Sequence, residues 1–405
     1  MIKNSKVLFY FFPIAIAFVL PFGNAISSPL IALWFVSSLF NLKRLFVKQN
    51  TSNKWFLTLI AFFVLTLISN FLFYNSNDPF GSVEIKLSFL FMPVLVFLFQ
   101  TDYGVARRTI AGFVSGCLFA TLACVGRSLM YLFNGDSSYM YYSKFSYFMH
   151  SAYFAMYLNL ALVFVLLFYF KWFKGNSFYK YFAYFLIGLF TLGVFLCASK
   201  IGIITLFILI PLVLIMEYRQ SITLKHYTIA FATLLVFTTS VYLIIPQVFD
   251  RLRSVSVVTE THIDKTATES SSVRVLIWNE CVEIIKSNFV TGVGVSNANE
   301  TLYASYEANG LTGAFEKKLN AHNQYFQTFI GMGIFGFIVL LILTIGLAVY
   351  AVIKKNNLLL FFALLTSVNF LVESMLQTSA GTVFYVFFLC FLIVFEKDKL
   401  SNEVV

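Results

Sequence analysis

Four polar side chains in an otherwise apolar sequence could bind and activate a charged substrate. The imidazole of His322 can accept a proton near neutral pH, and the planar guanidinium of Arg274 suits paired contacts with phosphate oxygens. Trp278 lies four residues after Arg274, so the two side chains would project from one side of a helix. Asn323 follows His322 directly. Residues of these types indicate a site that holds an anionic group beside a base.

Four further ionisable residues lie at or near the ends of long apolar runs: Arg127, His150, Lys200 and Glu373. An ionisable group within a membrane span costs several kcal/mol unless it faces a wet cavity or a partner, so each is a functional candidate. The alternative for any one of them is that its polar end reaches the lipid headgroups. For His322, the alternative is that it caps a helix.

The composition indicates that a membrane positions these residues. Of the 405 residues, 60% are hydrophobic and 11% are charged, whereas soluble domains have about a quarter charged residues. The apolar runs are roughly 20 residues long and lack alternation, which predicts membrane-spanning helices. The net charge of +10 comes from short clusters between these runs, so it does not indicate a nucleic-acid binder.

We predict an all-α, polytopic membrane protein with about twelve transmembrane helices. The predicted spans are 7–22, 28–46, 55–75, 84–100, 109–133, 150–170, 178–197, 200–217, 226–246, 323–352, 358–373 and 380–396. The first resembles a signal peptide but lacks a clear cleavage site, so we interpret it as an uncleaved span. The apolar stretch around Ser199 and Lys200 is too long for one crossing. It predicts two spans joined by a tight turn, and the alternative is a re-entrant pair.

The distribution of basic residues predicts the orientation. Most of the 28 lysines and arginines fall in alternate short connections, which places both termini in the cytoplasm and the one long polar loop outside. The predicted organisation is residues 1–246 with helices 1–9, residues 247–321 as a large loop on the outer side, and residues 322–405 with helices 10–12 and a short tail. The candidate residues then lie near the outer face.

Within the long loop, the pattern after Ser271 predicts an amphipathic helix lying at the membrane surface. Val273, Ile277, Val282 and Ile285 would share one face, with a serine cap in front. A surface helix with an aromatic anchor would by itself explain Trp278.

Two glycine motifs follow the predicted surface helix. The Gly292-Val-Gly294 segment predicts a flexible turn. The Gly331-x-Gly333-x-x-Gly336 motif formally matches a dinucleotide fingerprint, but it lies in a membrane span with no strand before it, so we expect it to serve close helix packing.

The sequence gives no sign of a disulfide framework or a metal centre. Four of the five cysteines lie in apolar runs, and only Cys281 is in the long loop. No cluster of His, Asp and Glu has ligand spacing. We therefore expect no metal and no cofactor.

The motifs Arg274-x-x-x-Trp278, Gly292-Val-Gly294 and His322-Asn323, in this order, resemble the O-antigen ligase family, which also includes many polysaccharide polymerases. Looser matches surround His150 and Glu373. Two positions depart from the family pattern. Lys200 follows Ser199 where the family has arginine, and His150 is followed by serine instead of proline.

The resemblance implies a membrane glycosyltransferase of the GT-C type that moves a glycan from undecaprenyl pyrophosphate to a sugar hydroxyl at the outer face of the bacterial inner membrane. His322 would be the base, and Arg274, with Lys200 and Arg127, would bind the pyrophosphate. The other predicted substrate-binding residues are Trp278, Asn323, Glu373 and His150. The partners implied are the lipid-linked donor, a lipid A-core or growing glycan acceptor, and membrane lipids, with no nucleic acid.

Several activities stay open. We favour a ligase that attaches O-antigen to lipid A-core. A repeat-unit polymerase would use the same carrier and the same residues, and a protein O-oligosaccharyltransferase the same chemistry. A lipid-linked glycan flippase or transporter is disfavoured, because the sequence lacks internal repeats and charged residues spread through the spans.

Overall fold

A computed structural model of the chain describes residues 2–40, 53–74, 80–99, 103–169, 177–218 and 271–394, with isolated positions at 236, 238–240, 242–243, 265–266 and 268. Every secondary-structure element in this part of the chain is a helix, which confirms the predicted all-α class.

The first ten α-helices form the bundle before the long loop. Their bounds are α1 Ile2–Val19, α2 Asn24–Leu39, α3 Lys54–Leu72, α4 Gly81–Lys86, α5 Ser88–Phe97, α6 Tyr103–Phe133, α7 Tyr142–Phe145, α8 Ser151–Phe164, α9 Ser177–Leu196 and α10 Lys200–Tyr218. Short 3-10 turns follow α1 and α6 at Leu20–Phe22 and Ser137–Met140, and a π-turn, Val165–Tyr169, extends α8.

The other helices of the described residues are three in the loop region and four in the membrane part. Their bounds are α11 Ser271–Ser287, α12 Ala298–Ala308, α13 Thr312–Glu316, α14 Gln324–Leu341, α15 Leu347–Ile353, α16 Asn357–Phe370 and α17 Ser379–Val394. The π-turn Ile342–Gly346 joins α14 to α15, and the 3-10 turn Met375–Gln377 precedes α17.

The described part of the chain contains six helices that are long and apolar enough to cross a membrane, and four shorter apolar helices. These positions agree with ten of the predicted spans, including the pair α9 and α10 around Ser199. The predicted span 84–100 is divided into α4 and α5 at Leu87. The predicted span 226–246 lies almost entirely outside the described residues, so the total of twelve stays a prediction.

Helix α8 lies at the centre of the bundle, and all of its residues are buried. It packs against α6, α9, α10 and α16, as expected for a helix that is apolar on every side. The Tyr157 hydroxyl donates to the carbonyl of Ala380 at 2.9 Å, and the Asn159 amide donates to the carbonyl of Gly202 at 2.9 Å. Polar contacts therefore tie α8 to the start of α17 and to α10.

Helices α11, α12 and α13 form a second hydrophobic cluster beside the bundle. The apolar face predicted for α11 was partly wrong. Val273 and Ile277 share one face as predicted, but this face is buried against the protein and continues through Cys281 and Ile284, whereas Val282 and Ile285 are only partly buried. Spacings of three and four residues keep the buried face in line along the helix, and this face packs against α12.

The two glycine motifs contact each other. Helix α14 is kinked at Gly333, where φ is 61° and ψ is −159°, so its regular hydrogen bonds are interrupted. The N–H groups of Val293 and Gly294 donate to the carbonyls of Ile330 and Gly331 at 2.8 and 3.1 Å. The N–H of Ile334 donates to the carbonyl of Phe289 at 3.0 Å. The segment predicted as a flexible turn therefore occupies the kink.

We call this contact between residues 289–295 and 330–334 the glycine junction. A Cβ atom on Gly333 would lie 2.2 Å from the carbonyl oxygen of Val290, and one on Gly292 would lie 2.5 Å from that of Ile330. The small residues thus permit close packing, as predicted, and the loop backbone is the nearest partner of Gly333. The membrane helix α3 also contacts this point, because the Ser69 hydroxyl donates to the carbonyl of Gly331 at 2.7 Å.

Candidate active site

A cavity of about 450 Å³ lies at the end of the bundle where α8 and α10 begin and α16 ends. We call it the transfer cavity. Its polar lining residues are Tyr142, His150, Ser151, Ser199, Lys200, Thr268, Arg274, His322 and Glu373. Helix α11 closes one side of it through Val273 and Arg274. Residues far apart in sequence therefore meet in one enclosed space.

Glu373 links the two residues whose chemistry was singled out first. One carboxylate oxygen, Oε1, accepts a hydrogen bond from Nη2 of Arg274 at 3.1 Å. The other, Oε2, lies 3.6 Å from Nδ1 of His322, a distance typical of an ion pair and slightly longer than a hydrogen bond. Within the described residues, Nδ1 of His322 has no other hydrogen-bond partner. The carboxylate thus orients both the guanidinium and the imidazole.

The side chain of Glu373 is 11% exposed, whereas those of His322 and Arg274 are 24% and 30% exposed. A buried carboxylate with two positively polarised neighbours is well compensated, and the neighbours keep their remaining donors available. Arg274 uses one of its five N–H groups on Glu373. The others can contact an anion.

The electrostatic balance keeps Glu373 charged. Burial by itself raises the pKa of its carboxyl, but the nearby ring nitrogen of His322 and the charge of Arg274 lower it more, with a smaller contribution from His150. The pKa of Glu373 therefore lies below its ordinary value. A carboxylate that is ionised at neutral pH favours a proton on Nδ1 of His322, which leaves Nε2 as the basic nitrogen.

The backbone before α14 sets the position of the imidazole. His322 itself has a left-handed conformation, with φ of 44°, and its N–H donates to Oδ1 of Asn320 at 2.9 Å. The indole N–H of Trp278 donates to the carbonyl of Ala321 at 3.0 Å. The Ala321 N–H donates to Oε1 of Gln327 at 3.1 Å. These contacts fix the backbone of Ala321 and His322, and thereby the position of the imidazole.

Strained backbone is concentrated around this cavity. Among the described residues other than glycine, positive φ occurs at Tyr142, Ala198, Lys318, His322 and Lys355. Three of them, Tyr142, Ala198 and His322, line the transfer cavity. Such conformations cost about 1–3 kcal/mol each and persist where the surroundings impose them, most often at functional sites. This clustering supports the cavity as the active site.

Comparison with known families identifies the segment that contributes most of the residues lining the transfer cavity. Residues 184–341 match a family model described as O-antigen ligase. We refer to this matching segment, which is similar to that family, as the O-antigen ligase domain. No curated protein matches the chain. The domain and the apolar helices together indicate a multi-pass membrane enzyme of the ligase or polymerase type, which acts on glycans.

The O-antigen ligase domain contains five of the predicted site residues: Lys200, Arg274, Trp278, His322 and Asn323. Lys200, Arg274 and His322 line the transfer cavity. His150 and Glu373 lie outside the matched segment, yet the fold brings both into the same cavity. His150 also caps α8, because its Nδ1 accepts from the N–H of Ala152 at 3.4 Å.

Trp278 and Asn323 adjoin the cavity without lining it. Trp278 contacts the Ala321 backbone, and its ring packs edge-on against Phe326, with 6.1 Å between centroids. Asn323 caps α14 by accepting from the N–H groups of Tyr325 and Phe326 at 2.9 and 3.1 Å. Their contacts brace the O-antigen ligase domain, so direct substrate binding by either stays a prediction.

Arg127 is not in the cavity lining. Its guanidinium carbon lies 4.5 and 4.8 Å from the ring centroids of Tyr147 and Tyr139, and Nη1 donates to the carbonyl of Lys144 at 2.8 Å. Arg127 therefore braces the connection between α6 and α8. These contacts do not favour the predicted role in pyrophosphate binding.

The sequence interpretation missed several residues that position the site. Ser374 accepts the N–H of Asn323 at 3.2 Å, and Gln324 accepts the N–H of Leu376 at 2.7 Å. Gln327 donates to Asn299 at 2.9 Å. The two buried glutamines at the start of an apolar helix were the available signal, since unpaired amides are costly in a membrane.

Proposed function

We propose that the protein transfers a glycan from undecaprenyl pyrophosphate to a sugar hydroxyl at the periplasmic face of the inner membrane, as a ligase acting on lipid A-core. The observation that carries the proposal is the arrangement of Arg274 and His322 on opposite oxygens of Glu373 in a cavity that the O-antigen ligase domain helps to line.

The charges in the cavity support an anionic donor. Among the described lining residues, Lys200 and Arg274 provide two cations, and Glu373 provides one carboxylate. The unused N–H groups of Arg274 can bind two phosphate oxygens at once, whereas Lys200 provides a point charge. Because the sugar is already activated by its pyrophosphate leaving group, the reaction needs no nucleotide.

The proposed chemical step involves the transfer of one proton and the departure of one leaving group. Nε2 of His322 accepts the proton of the acceptor hydroxyl, whose oxygen then forms a bond to the anomeric carbon of the donor sugar. The bond between that carbon and the phosphate oxygen breaks, and its electron pair leaves with undecaprenyl pyrophosphate. Arg274 and Lys200 stabilise the negative charge that develops there.

An apolar groove supports a lipid-linked substrate. It has a volume of about 650 Å³ and lies between α11, α14 and α16. Its walls include Ile285, Phe329, Phe337 and Val368, and one end reaches Asn323. Because Asn323 follows His322, the groove adjoins the transfer cavity. A prenyl chain in this groove would place its pyrophosphate near Arg274.

The proposed orientation places both termini in the cytoplasm and the loop with α11–α13 in the periplasm. It follows from the distribution of basic residues between the spans. Cysteine labelling in intact cells tests it: a reagent that cannot cross the inner membrane should modify an introduced Lys318→Cys but not Lys354→Cys.

A gene deletion tests the activity. Long free glycan together with undecorated lipid A-core is the result expected for a lost ligase. A single repeat unit on the core would instead indicate a repeat-unit polymerase, and unchanged surface glycans would contradict both. Transfer by the purified protein in proteoliposomes, supplied with the lipid-linked donor and lipid A-core, should reproduce the lost step.

A further inference from the structure

Tyr142 occupies an unusual position in the wall of the transfer cavity. It lines the cavity with His150, Lys200 and Arg274, and among the described lining residues it is the only phenylalanine, tyrosine or tryptophan. Its φ is 57°, a conformation that bulky residues rarely adopt. Glycine or asparagine would fit this backbone with less strain. A tyrosine there indicates that the ring has a use.

The surrounding segment holds this backbone in place. Phe145, at the end of α7, is fully buried, and the N–H of Ser146 donates to the carbonyl of Tyr142 at 3.0 Å. The neighbouring Lys144 carbonyl accepts from Arg127, whose guanidinium lies against the ring of Tyr139.

These contacts begin on α6 and end beside the cavity. Arg127 therefore has a structural role, because it fixes the segment that places Tyr142 in the cavity wall. The ring thus projects from a braced segment, as a rigid binding surface requires.

We propose that Tyr142 is a glycan-binding residue whose ring stacks on the C–H face of a pyranose ring held in the transfer cavity. The face of an aromatic ring carries partial negative charge and attracts polarised C–H groups, while its flat apolar surface excludes water from the sugar. The charged residues of the cavity can bind phosphate and move a proton, but they offer no such surface for a sugar ring.

The identity of the sugar rests on the proposed transfer function. The pyranose could belong to the lipid-linked donor or to the acceptor, since both carry sugar rings to the reacting atoms. The chemistry of recognition is the same for either source. Separate measurements with each substrate distinguish them.

The experiment compares Tyr142→Gly with Tyr142→Phe. Glycine removes the ring and relieves the strain, so the melting temperature of the purified protein should stay the same or rise. Phenylalanine keeps the stacking surface. Tyr141→Ala, which removes a neighbouring ring outside the cavity lining, is the matched control. If Tyr142→Gly does not fold, Tyr142→Asn replaces it, because asparagine tolerates positive φ.

Two probes report on binding without requiring transfer: the repeat-unit oligosaccharide released from its lipid carrier, and the core oligosaccharide released from lipid A. We expect Tyr142→Gly to weaken binding of one of them roughly tenfold, as the loss of one aromatic contact implies. The KM for the corresponding substrate should rise similarly. Tyr142→Phe and Tyr141→Ala should stay within about threefold of the wild type.

Wild-type binding of both oligosaccharides by a folded Tyr142→Gly variant would overturn the proposal, as would an equal loss in Tyr141→Ala. The two hypotheses can fail separately. If His322→Ala transfers glycan normally while Tyr142→Gly loses binding, the proposed reaction is wrong and the sugar-binding role of Tyr142 stands.

Discussion

The loop region contacts α14 at two places that are built differently. At the transfer cavity, Arg274 of α11 and His322 before α14 meet through the carboxylate of Glu373, and their side chains stay 24–30% exposed. At the glycine junction, backbone meets backbone, with N–H to carbonyl distances of 2.8–3.1 Å. The first contact is made by side chains that surround a cavity, whereas the second is a close backbone contact without a cavity.

We infer from this difference that the glycine junction holds the two parts in position and that the transfer cavity carries the reactive side chains. The glycine junction lies about two to three helical turns along α14 from His322, so it fixes α11 relative to that helix. The charged residues of the cavity then keep hydrogen-bond donors available for a substrate, because they do not have to hold α11 against α14. Substitutions at the junction should therefore affect folding, and substitutions in the cavity should affect transfer.

The largest effect is expected for Gly333→Ala. A Cβ atom there would lie 2.2 Å from the carbonyl oxygen of Val290, and the backbone conformation is essentially restricted to glycine. We expect a loss of at least about 3 kcal/mol in stability, seen as little folded protein in size-exclusion chromatography.

Gly188→Ala is the control for this substitution. Gly188 lies inside α9, and a Cβ atom on it would meet nothing within 4 Å. Its melting temperature should match or exceed that of the wild type, since alanine favours helix. Normal folding of Gly333→Ala would show that the junction is looser than its geometry indicates.

Arg274→Ala should leave the protein folded and reduce transfer by about 10²–10³-fold, the range for loss of one preorganised donor to a developing anion. Arg274→Lys should recover part of this loss, because it restores the charge without the paired donors. Glu283→Gln is the control, because it changes an exposed charged residue of the same helix that pairs with Lys286 and lines neither the cavity nor the groove. Equal losses in Glu283→Gln and Arg274→Ala would indicate a general effect on α11.

Glu373→Gln should reduce transfer by about 10–100-fold, as expected for a group that orients the reacting side chains. Its pH dependence is more specific. The pKa of Glu373 is lowered from 4.5 in the folded protein, so its charge stabilises the fold above about pH 4.5 and this contribution is lost as the pH falls through the lower folded value.

The melting temperature of wild type should therefore exceed that of Glu373→Gln throughout the range from pH 8 to about pH 5. The gap should narrow only in more acidic solution. A gap that already closes between pH 7 and 6 would mean that the carboxyl is not held in its charged form.

The smallest effect is expected for Trp278→Phe. The substitution keeps an aromatic ring but removes the hydrogen bond to the Ala321 carbonyl, worth about 1 kcal/mol. Transfer should fall by less than about tenfold. Trp34→Phe is the control, since its buried indole nitrogen has no acceptor among the described residues. A hundredfold loss in Trp278→Phe would favour direct substrate contact.

Much of the site could be predicted because membrane topology limits where polar residues can go. Once the apolar runs were assigned, His150, Lys200, His322 and Glu373 all fell at one end of the spans, and the structure brings all four into one cavity. The family resemblance indicated Arg274, Trp278 and the glycine turn, and the match of residues 184–341 to a family model described as O-antigen ligase supports that resemblance.

The remainder depends on information that hydrophobic patterns do not contain. The α11 face was misassigned because Val282 and Ile285 are as apolar as the residues that α12 covers. The glycine junction brings together two motifs about 40 residues apart, and the sequence of neither motif indicates that it contacts the other. The left-handed backbone of Tyr142 lies next to the tertiary contact between Arg127 and the Lys144 carbonyl, which the local sequence does not specify.

The central claim is that His322 is the base of a glycan transfer. The direct test is transfer by purified His322→Ala in proteoliposomes with the lipid-linked donor and the acceptor, together with donor binding and melting temperature. We predict a folded protein that binds donor normally and transfers about 10²–10⁴-fold more slowly than the wild type, the range for loss of a general base. Wild-type transfer by His322→Ala would contradict the assignment.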